Sequence, residues 1–424
     1  MLYEKTLAGA EKIVRENVAD NDVIDMFLQC YKDTLNNTTK ILPDDTVFMT
    51  TGDIPAMWLR DSTCQLRPYL PFINEDNDVQ QLVRRVIKKQ IKSILTDPYA
   101  NAFNETANNN KWDDDLPPQK PEVWEQKYEL DSLCFPIQLA HQYWKYTKDT
   151  SIFDDDFKKA ISTIIGLWKV EQHHKEFSKY TFERPSRNGL MLRNNGQGTA
   201  VGYTGMTWSG FRPSDSACTY HYSIPSNYFA VRASQIISEF ASQIFNDVNL
   251  TLSAMNLSKE IKLGIDTFGV VNYNDEQIFA YEVDGLGNHV LMDDSNMPSL
   301  LSLPLLNNIS PHNTIYKRTR DFILSDENPY YFRGKSLTGV GSEHTRNDFV
   351  WPLALAVEGL TSTSRKEKWK KIKMIVENDD GTKLVHESVN PNDPTDYTRP
   401  WFSWGNSMFC ELVLDYCGQT VKHK

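Results

Sequence analysis

Six stretches of the chain concentrate carboxylates, aromatic rings and amides at close spacing. The first runs Thr51-Gly52-Asp53-Ile54-Pro55-Ala56-Met57-Trp58-Leu59-Arg60-Asp61-Ser62. Trp58 can stack on an apolar sugar face while Arg60 and Asp61 hold hydroxyls, or the segment is simply a capped helix with an Arg–Asp ion pair. The second, Trp124-Glu125-Gln126-Lys127-Tyr128-Glu129-Leu130-Asp131-Ser132, alternates charges with rings and reads first as a structural ion-pair network. In the third, Trp208 to Asp215, a carboxyl follows a rigid, aromatic-flanked Arg212-Pro213-Ser214. The fourth holds His289, Asp293, Asp294, Asn296 and Met297, and the fifth Glu343, His344, Asn347 and Asp348. The last pairs His386-Glu387-Ser388 with Arg399-Pro400-Trp401-Phe402-Ser403-Trp404.

Carboxyls, rings and amides in one pocket suit glycoside hydrolysis. One protonated carboxyl gives its proton to the leaving oxygen, and one carboxylate activates water or attacks carbon. Trp and Tyr supply faces for C–H patches, and Arg, Asp, Asn and His fix hydroxyls. Other chemistries lack their signatures. There is no phosphate-binding Gly-x-x-x-x-Gly-Lys-Ser/Thr, no His-Glu-x-x-His and no Gly-x-Ser-x-Gly. Gly285-x-Gly287 and Gly196-x-Gly198 lack the third glycine of a dinucleotide site. Asp113-Asp114-Asp115 is expected to be a solvated loop rather than a cation site, and His173-His174 an exposed pair at a helix end.

The elements that position these residues are helical. Apolar residues at Val79, Leu82, Val83, Val86, Ile87, Ile91, Ile94 and Leu95 follow the i, i+3, i+4, i+7 stripe of an amphipathic helix. Phe153, Phe157, Ala160, Ile161, Ile164, Ile165 and Trp168 repeat it, and Trp369, Ile372, Ile375 and Val376 do so more weakly. The basic run Arg365–Lys371 fits a solvated helix face. A second, less charged kind of helix alternates with these. Asp61-Ser62, Asp131-Ser132, Asp215-Ser216 and Asp294-Ser295 each precede an apolar stretch, and Asn347-Asp348 and Asn406-Ser407 are looser relatives. Such residues cap helix N-termini. The spacing predicts six apolar inner helices alternating with six amphipathic outer ones. That is an all-α (α/α)6 barrel forming a single domain over residues 1–424, with its polar helix starts at one mouth.

The 424 residues carry 45 Lys+Arg against 56 Asp+Glu, a formal charge of −11, which disfavours a nucleic-acid partner. No apolar run is long enough to span a membrane, and no secretory leader is apparent. The six cysteines (Cys30, Cys64, Cys134, Cys218, Cys410 and Cys417) are dispersed, with no Cys-x-x-Cys, as expected of buried free thiols in a reducing, cytoplasmic setting.

The segments TTGDIPAMWLRDS, GFRPSDSACTYHYSIPSN, YEVDGLGNHVLMDDSNMPSLLSLP, GVGSEHTRNDFVWPL and RPWFSWGNSMFCELV, in this order from about residue 48 to 416, resemble glycoside hydrolase family 125. The resemblance implies a metal-independent, inverting exo-α-1,6-mannosidase, largely bacterial, with an (α/α)6 barrel and no cofactor. Its partner is an oligosaccharide bearing a terminal α-linked mannose. It implies Asp215 as general acid and Glu387 as general base, with Glu343 the residue most easily confused with Glu387.

Beside the resemblance, a general acid must be protonated at working pH, so the pKa of Asp215 is expected above its reference of about 3.9, through burial by Trp208, Phe211 and Tyr220. Its carboxyl is expected to point into the cleft rather than cap a helix. Arg60, Asp61, His289, Asn296, Met297 and His344 are the expected contacts of the terminal sugar, with Trp58 and Arg212 as walls. The alternatives are another (α/α)6 glycosidase such as an α-glucosidase, or a catalytically silent glycan-binding protein.

Overall fold

The computed structural model describes residues 2–186, 191–306, 309–346 and 348–421. Helices dominate it. The stripe at Val79–Leu95 forms the helix Asn77–Thr96, which buries Val79, Leu82, Val83, Val86, Ile87, Ile91 and Ile94. The second stripe lies in Asp155–Glu171 and the third in Arg365–Val376. The basic run on the latter is only partly solvated. Lys371 is buried against Glu358 at 2.6 Å, and Lys368 pairs with Asp415.

The helices form two sets that differ in burial. The helices Asn21–Asn37, Asn77–Thr96, Asp155–Glu171, Val248–Phe268, Thr314–Ile323 and Arg365–Val376 are capped by Asp20, Asp76, Asp154, Asp247, Asn313 and Ser364, whose side chains accept first-turn backbone N–H groups. A second set is more deeply buried. Pro352–Leu360 buries every residue from Pro352 to Gly359, and Ser403–Tyr416 every residue from Ser403 to Leu414. Ser403–Tyr416 packs on Leu59–Cys64, which packs on Cys134–Thr147, which packs on Ile224–Gln243; Pro352–Leu360 closes on Ser403–Tyr416 from the other side. Helices of the first set pack on these: Val248–Phe268 on Ile224–Gln243, and Arg365–Val376 on Pro352–Leu360. One contiguous apolar core runs from Tyr3 to Val421.

The Asp-Ser and Asn signatures do not act as inner-helix caps, which corrects the sequence reading. Asp61 and Asn406 lie inside their helices and Asp131 inside the 3-10 turn Leu130–Leu133. Asp215 stands well before Ile224, where the helix begins under a Ser223 cap. Asn347 lies outside the described residues. The fourth expected inner helix, after Asp294-Ser295, is not α-helical as described. Pro298 and Pro304 remove two N–H donors, and the segment closes in i→i+3 turns such as Ser302 N to Ser299 O (3.1 Å) and Leu305 N to Ser302 O (2.9 Å). Polar residues at the inner helix starts are thereby released from capping and face one another. Short β-hairpins frame that mouth, including Ser388–Asn390 with Asp393–Thr398, and a three-stranded sheet of Met57–Trp58, Ala102–Phe103 and Val123–Glu125.

Candidate active site

A cavity of about 260 Å3 opens at this mouth, lined by Trp58, Arg60, Asp61, Asp215, Asn296, His344 and Glu387, seven of the ten residues named from sequence. Trp58 ends a strand and stands at the N-cap of Leu59–Cys64, which sets Arg60 and Asp61 in the first turn, buried. Asp61 Oδ2 accepts from Thr51 Oγ1 at 2.6 Å; burial raises its pKa against the opposing pull of Arg60 and this hydrogen bond. Asn296 donates from Nδ2 to Asp294 Oδ1 at 3.0 Å, and His344 is tethered by its backbone N–H to Ser342 Oγ at 3.2 Å.

Asp215 sits in a tight loop with a left-handed φ of 66°. Arg212 N donates to Ser216 O (2.8 Å) and Asp215 N to Arg212 O (3.0 Å). The Arg212 side chain is not a cavity wall. It is buried, with Nε 2.6 Å from Glu282 Oε1 and Nη1 2.5 Å from Glu343 Oε1, and so braces the Asp215 loop from behind. That bond, with one from Tyr330 OH at 3.0 Å, also places Glu343 away from this cavity, which separates it from Glu387. Met297 is fully buried beside Asn296 without lining the cavity. His289 is exposed on a two-residue strand and does not line it either.

The charge state of Asp215 departs from expectation. Burial alone would raise its pKa, but Lys127, whose Nζ lies 3.9 Å from Oδ1, then His344, Arg60 and a hydrogen bond with Glu129 hold it below the usual carboxylate range. Asn101 Nδ2 also donates to Oδ1 at 3.3 Å. Its neighbour Glu129 is pushed well up, first by burial. Trp208 and Phe211 are buried and Tyr220 is half-buried, and at Asp215 burial is outweighed by these cations.

Glu387 starts a hairpin. Its N–H donates to Thr398 O (3.2 Å), and its Oε2 accepts from Thr398 Oγ1 (3.0 Å). His386 is stacked on Tyr397 at 3.7 Å between ring centres and fixes the hairpin's base. Trp112, Glu125, Lys127, Arg184, Trp351, Arg399 and Trp404 also line the cavity and were not named from sequence as site residues. Lys127 and Glu125 lay in the stretch read as an ion-pair network, and they are that as well (3.5 Å). Arg399 and Trp404 stood in the last stretch; Trp112 and Arg184 carried no signal.

Candidate metal and thiol features resolve structurally. Among the described residues no group of three or more His, Cys, Asp or Glu side chains is placed to hold a metal ion. Asp113 accepts from Ser186, Asp114 pairs with Lys111 (2.6 Å), and Asp115 is buried against Arg184 (2.6 Å). His174 is buried rather than exposed, bonded to Glu171 (2.6 Å) and stacked on Trp208 at 3.7 Å. The six cysteines are free and all but Cys417 are buried. No helix among the described residues is long and apolar enough to cross a membrane.

Comparison with known proteins assigns the class that this carboxyl-lined pocket suggests. Residues 20–414 match the family of metal-independent alpha-mannosidases, glycoside hydrolase family 125. The chain belongs to this family of glycoside hydrolases. It is 36% identical to the meiotically up-regulated gene 157 protein of Schizosaccharomyces pombe, over 97% of this chain and 86% of that protein. A Streptococcus pneumoniae metal-independent alpha-mannosidase, solved as a non-productive complex with alpha-1,6-mannobiose, is 45% identical and superposes with a TM-score of 0.95, covering 98% of this chain and 99% of that one. A bacterial glucoamylase bound to acarbose shares the fold at a TM-score of 0.57 and 12% identity, over 86% of this chain and 49% of that one. Relatives in both a bacterium and a fission yeast widen the expected bacterial range.

Proposed function

We propose that this α-mannosidase is an inverting exo-α-1,6-mannosidase, built as one (α/α)6 barrel domain and working in the cytoplasm without metal or organic cofactor. Asp215 is the general acid and Glu387 the general base. The observation that carries this reading is that both carboxyls line one cavity with Trp58, Arg60, Asp61, Asn296 and His344. The mannobiose held by the pneumococcal relative supports the α-1,6 linkage.

Terminal mannose enters with its ring against Trp58 and its hydroxyls toward Arg60, Asp61, Asn296 and His344. Asp215 gives a proton to the glycosidic oxygen as the C1–O bond breaks. Glu387 takes a proton from a water that attacks C1 from the opposite face, and the sugar leaves as β-mannose. Thr398 and Arg399 hold Glu387 in place for this step.

Hydrolysis of α-1,6-mannobiose tests the reading. Asp215→Asn and Glu387→Gln should each cut kcat by roughly 10²–10⁴-fold or more with the fold retained. Faster cleavage of the α-1,6-linked glucose disaccharide would make the chain an α-glucosidase. Tight binding of mannobiose without turnover would make it a silent glycan binder, and loss of activity to a chelator would contradict the metal-free reading.

A further inference from the structure

Asp215, Glu129, Asp131 and Asp61 crowd two cations. Arg60 Nη1 lies 2.7 Å from Glu129 Oε2 and 3.1 Å from Asp131 Oδ2, and Arg60 Nε lies 3.6 Å from Asp61 Oδ1. Lys127 lies 3.9 Å from Asp215 and is itself shared with Glu125. The side chains of Glu129 and Asp131 are wholly buried. A buried cluster with more carboxyls than cations is costly unless a proton neutralises one of them.

The geometry says which. The carboxyls of Glu129 and Asp215 are in hydrogen-bonding contact with each other. Two carboxylates have no hydrogen to share, so this contact requires a proton between them. Glu129 Oε2 is already occupied by Arg60 and Ser132 Oγ (3.1 Å), while its buried Oε1 meets no donor. Oε1 is therefore the atom available for the contact. Glu129 does not reach the cavity, so it cannot protonate a glycoside itself.

We propose that Glu129 and Asp215 hold one proton jointly, and that Glu129 is the positioning residue that keeps it available to Asp215. This rests on Asp215 being the general acid. When the glycosidic oxygen arrives, the shared proton moves onto Asp215 and from there to that oxygen as the C1–O bond breaks. Two carboxylates remain facing Arg60 and Lys127. The pair regains a proton from solvent as Glu387 releases the one it took from water. The groups that set the pair's titration are Arg60, Lys127, His344, Asp131 and Asp61. The low affinity of Asp215 for a proton and the high affinity of Glu129 are the two halves of one coupled titration.

The test is the pH profile of kcat/KM for Glu129→Gln on two substrates, α-1,6-mannobiose and dinitrophenyl α-mannoside, whose leaving group needs no proton. The basic limb on mannobiose should move to lower pH by about one unit or more, because Gln cannot hold the shared proton. Activity on the aryl mannoside should be largely kept. An unmoved basic limb, or equal loss on both substrates, overturns the proposal. Asp215→Asn, run alongside, separates this from a failure of the underlying reading: equal loss on both substrates in that variant means Asp215 is not the acid. Infrared spectra of the wild type, with glutamate labelled by carbon-13 in its side-chain carboxyl, need no variant at position 129. A protonated glutamate band at neutral pH is expected, and its absence overturns the proposal.

Discussion

Arg399 Nη1 stands 3.5 Å from Glu387 Oε1. The rest of the guanidinium is anchored elsewhere: Nε and Nη2 bond Asp53 Oδ1 at 2.8 and 2.6 Å, Nη2 also donates to Thr51 O at 3.2 Å, and the plane lies over Phe402 at 4.8 Å. Asp53 and Thr51 belong to the first polar stretch and Arg399 to the last, so two distant stretches of the chain jointly position Glu387, the proposed base.

Releasing Arg399 should therefore misplace Glu387 without removing it. Asp53→Asn and Thr398→Val should each lower kcat by roughly tenfold, less than the ~10²–10⁴-fold expected for Glu387→Gln, with a smaller change in KM. Steady-state kinetics on mannobiose checks this. A rise in KM at constant kcat would place these residues in sugar binding instead.

Arg67 and Glu411 form a fully buried two-point pair away from the cavity, at 2.7 and 2.6 Å. Glu411→Ala leaves a buried guanidinium without its counter-charge and should cost about 3–5 kcal/mol. The double replacement Arg67→Met with Glu411→Leu should recover part of that loss. Denaturant unfolding measures both, and the folded fraction of each variant should keep its KM.

His221 gives the fold an acid-sensitive point. Its Nδ1 donates to Ser209 O (2.8 Å), its Nε2 accepts from Thr199 N (2.9 Å), and burial pushes its pKa down to about 4. The unfolded side chain takes up a proton below about 6.5, the folded one only near 4, so between these values the unfolded state binds more protons. Stability should fall as pH drops from about 6.5 toward 4. His221→Gln should show a smaller fall in Tm over that window; an identical fall would remove His221 from the account.

Much of this was legible in the chain. The stripe at Val79–Ile94 specified its helix because one buried face repeats every three to four residues. The Asp-Ser recurrences located the polar mouth, but not as helix caps: Asp76, Asp154 and Asp247 cap outer helices, while Asp61 and Asp131 bond Thr51 and Arg60. Position in a helix start does not reveal where a carboxyl turns. Glu387 stood in the last polar stretch, but its role as base was assigned only through family resemblance, and its hairpin was missed because Asp393-Pro394-Thr395-Asp396-Tyr397-Thr398 lacks an apolar alternation. Lys127 was hidden for another reason. Its approach to Asp215 joins segments far apart in sequence, and that contact reverses the expected pKa direction.

Proton NMR of α-1,6-mannobiose hydrolysis tests the central claim most directly. Asp215 and Glu387 acting from opposite faces of the sugar through an intervening water require β-mannose as the first product, with the α anomer appearing only by later mutarotation. Initial release of α-mannose would contradict the account.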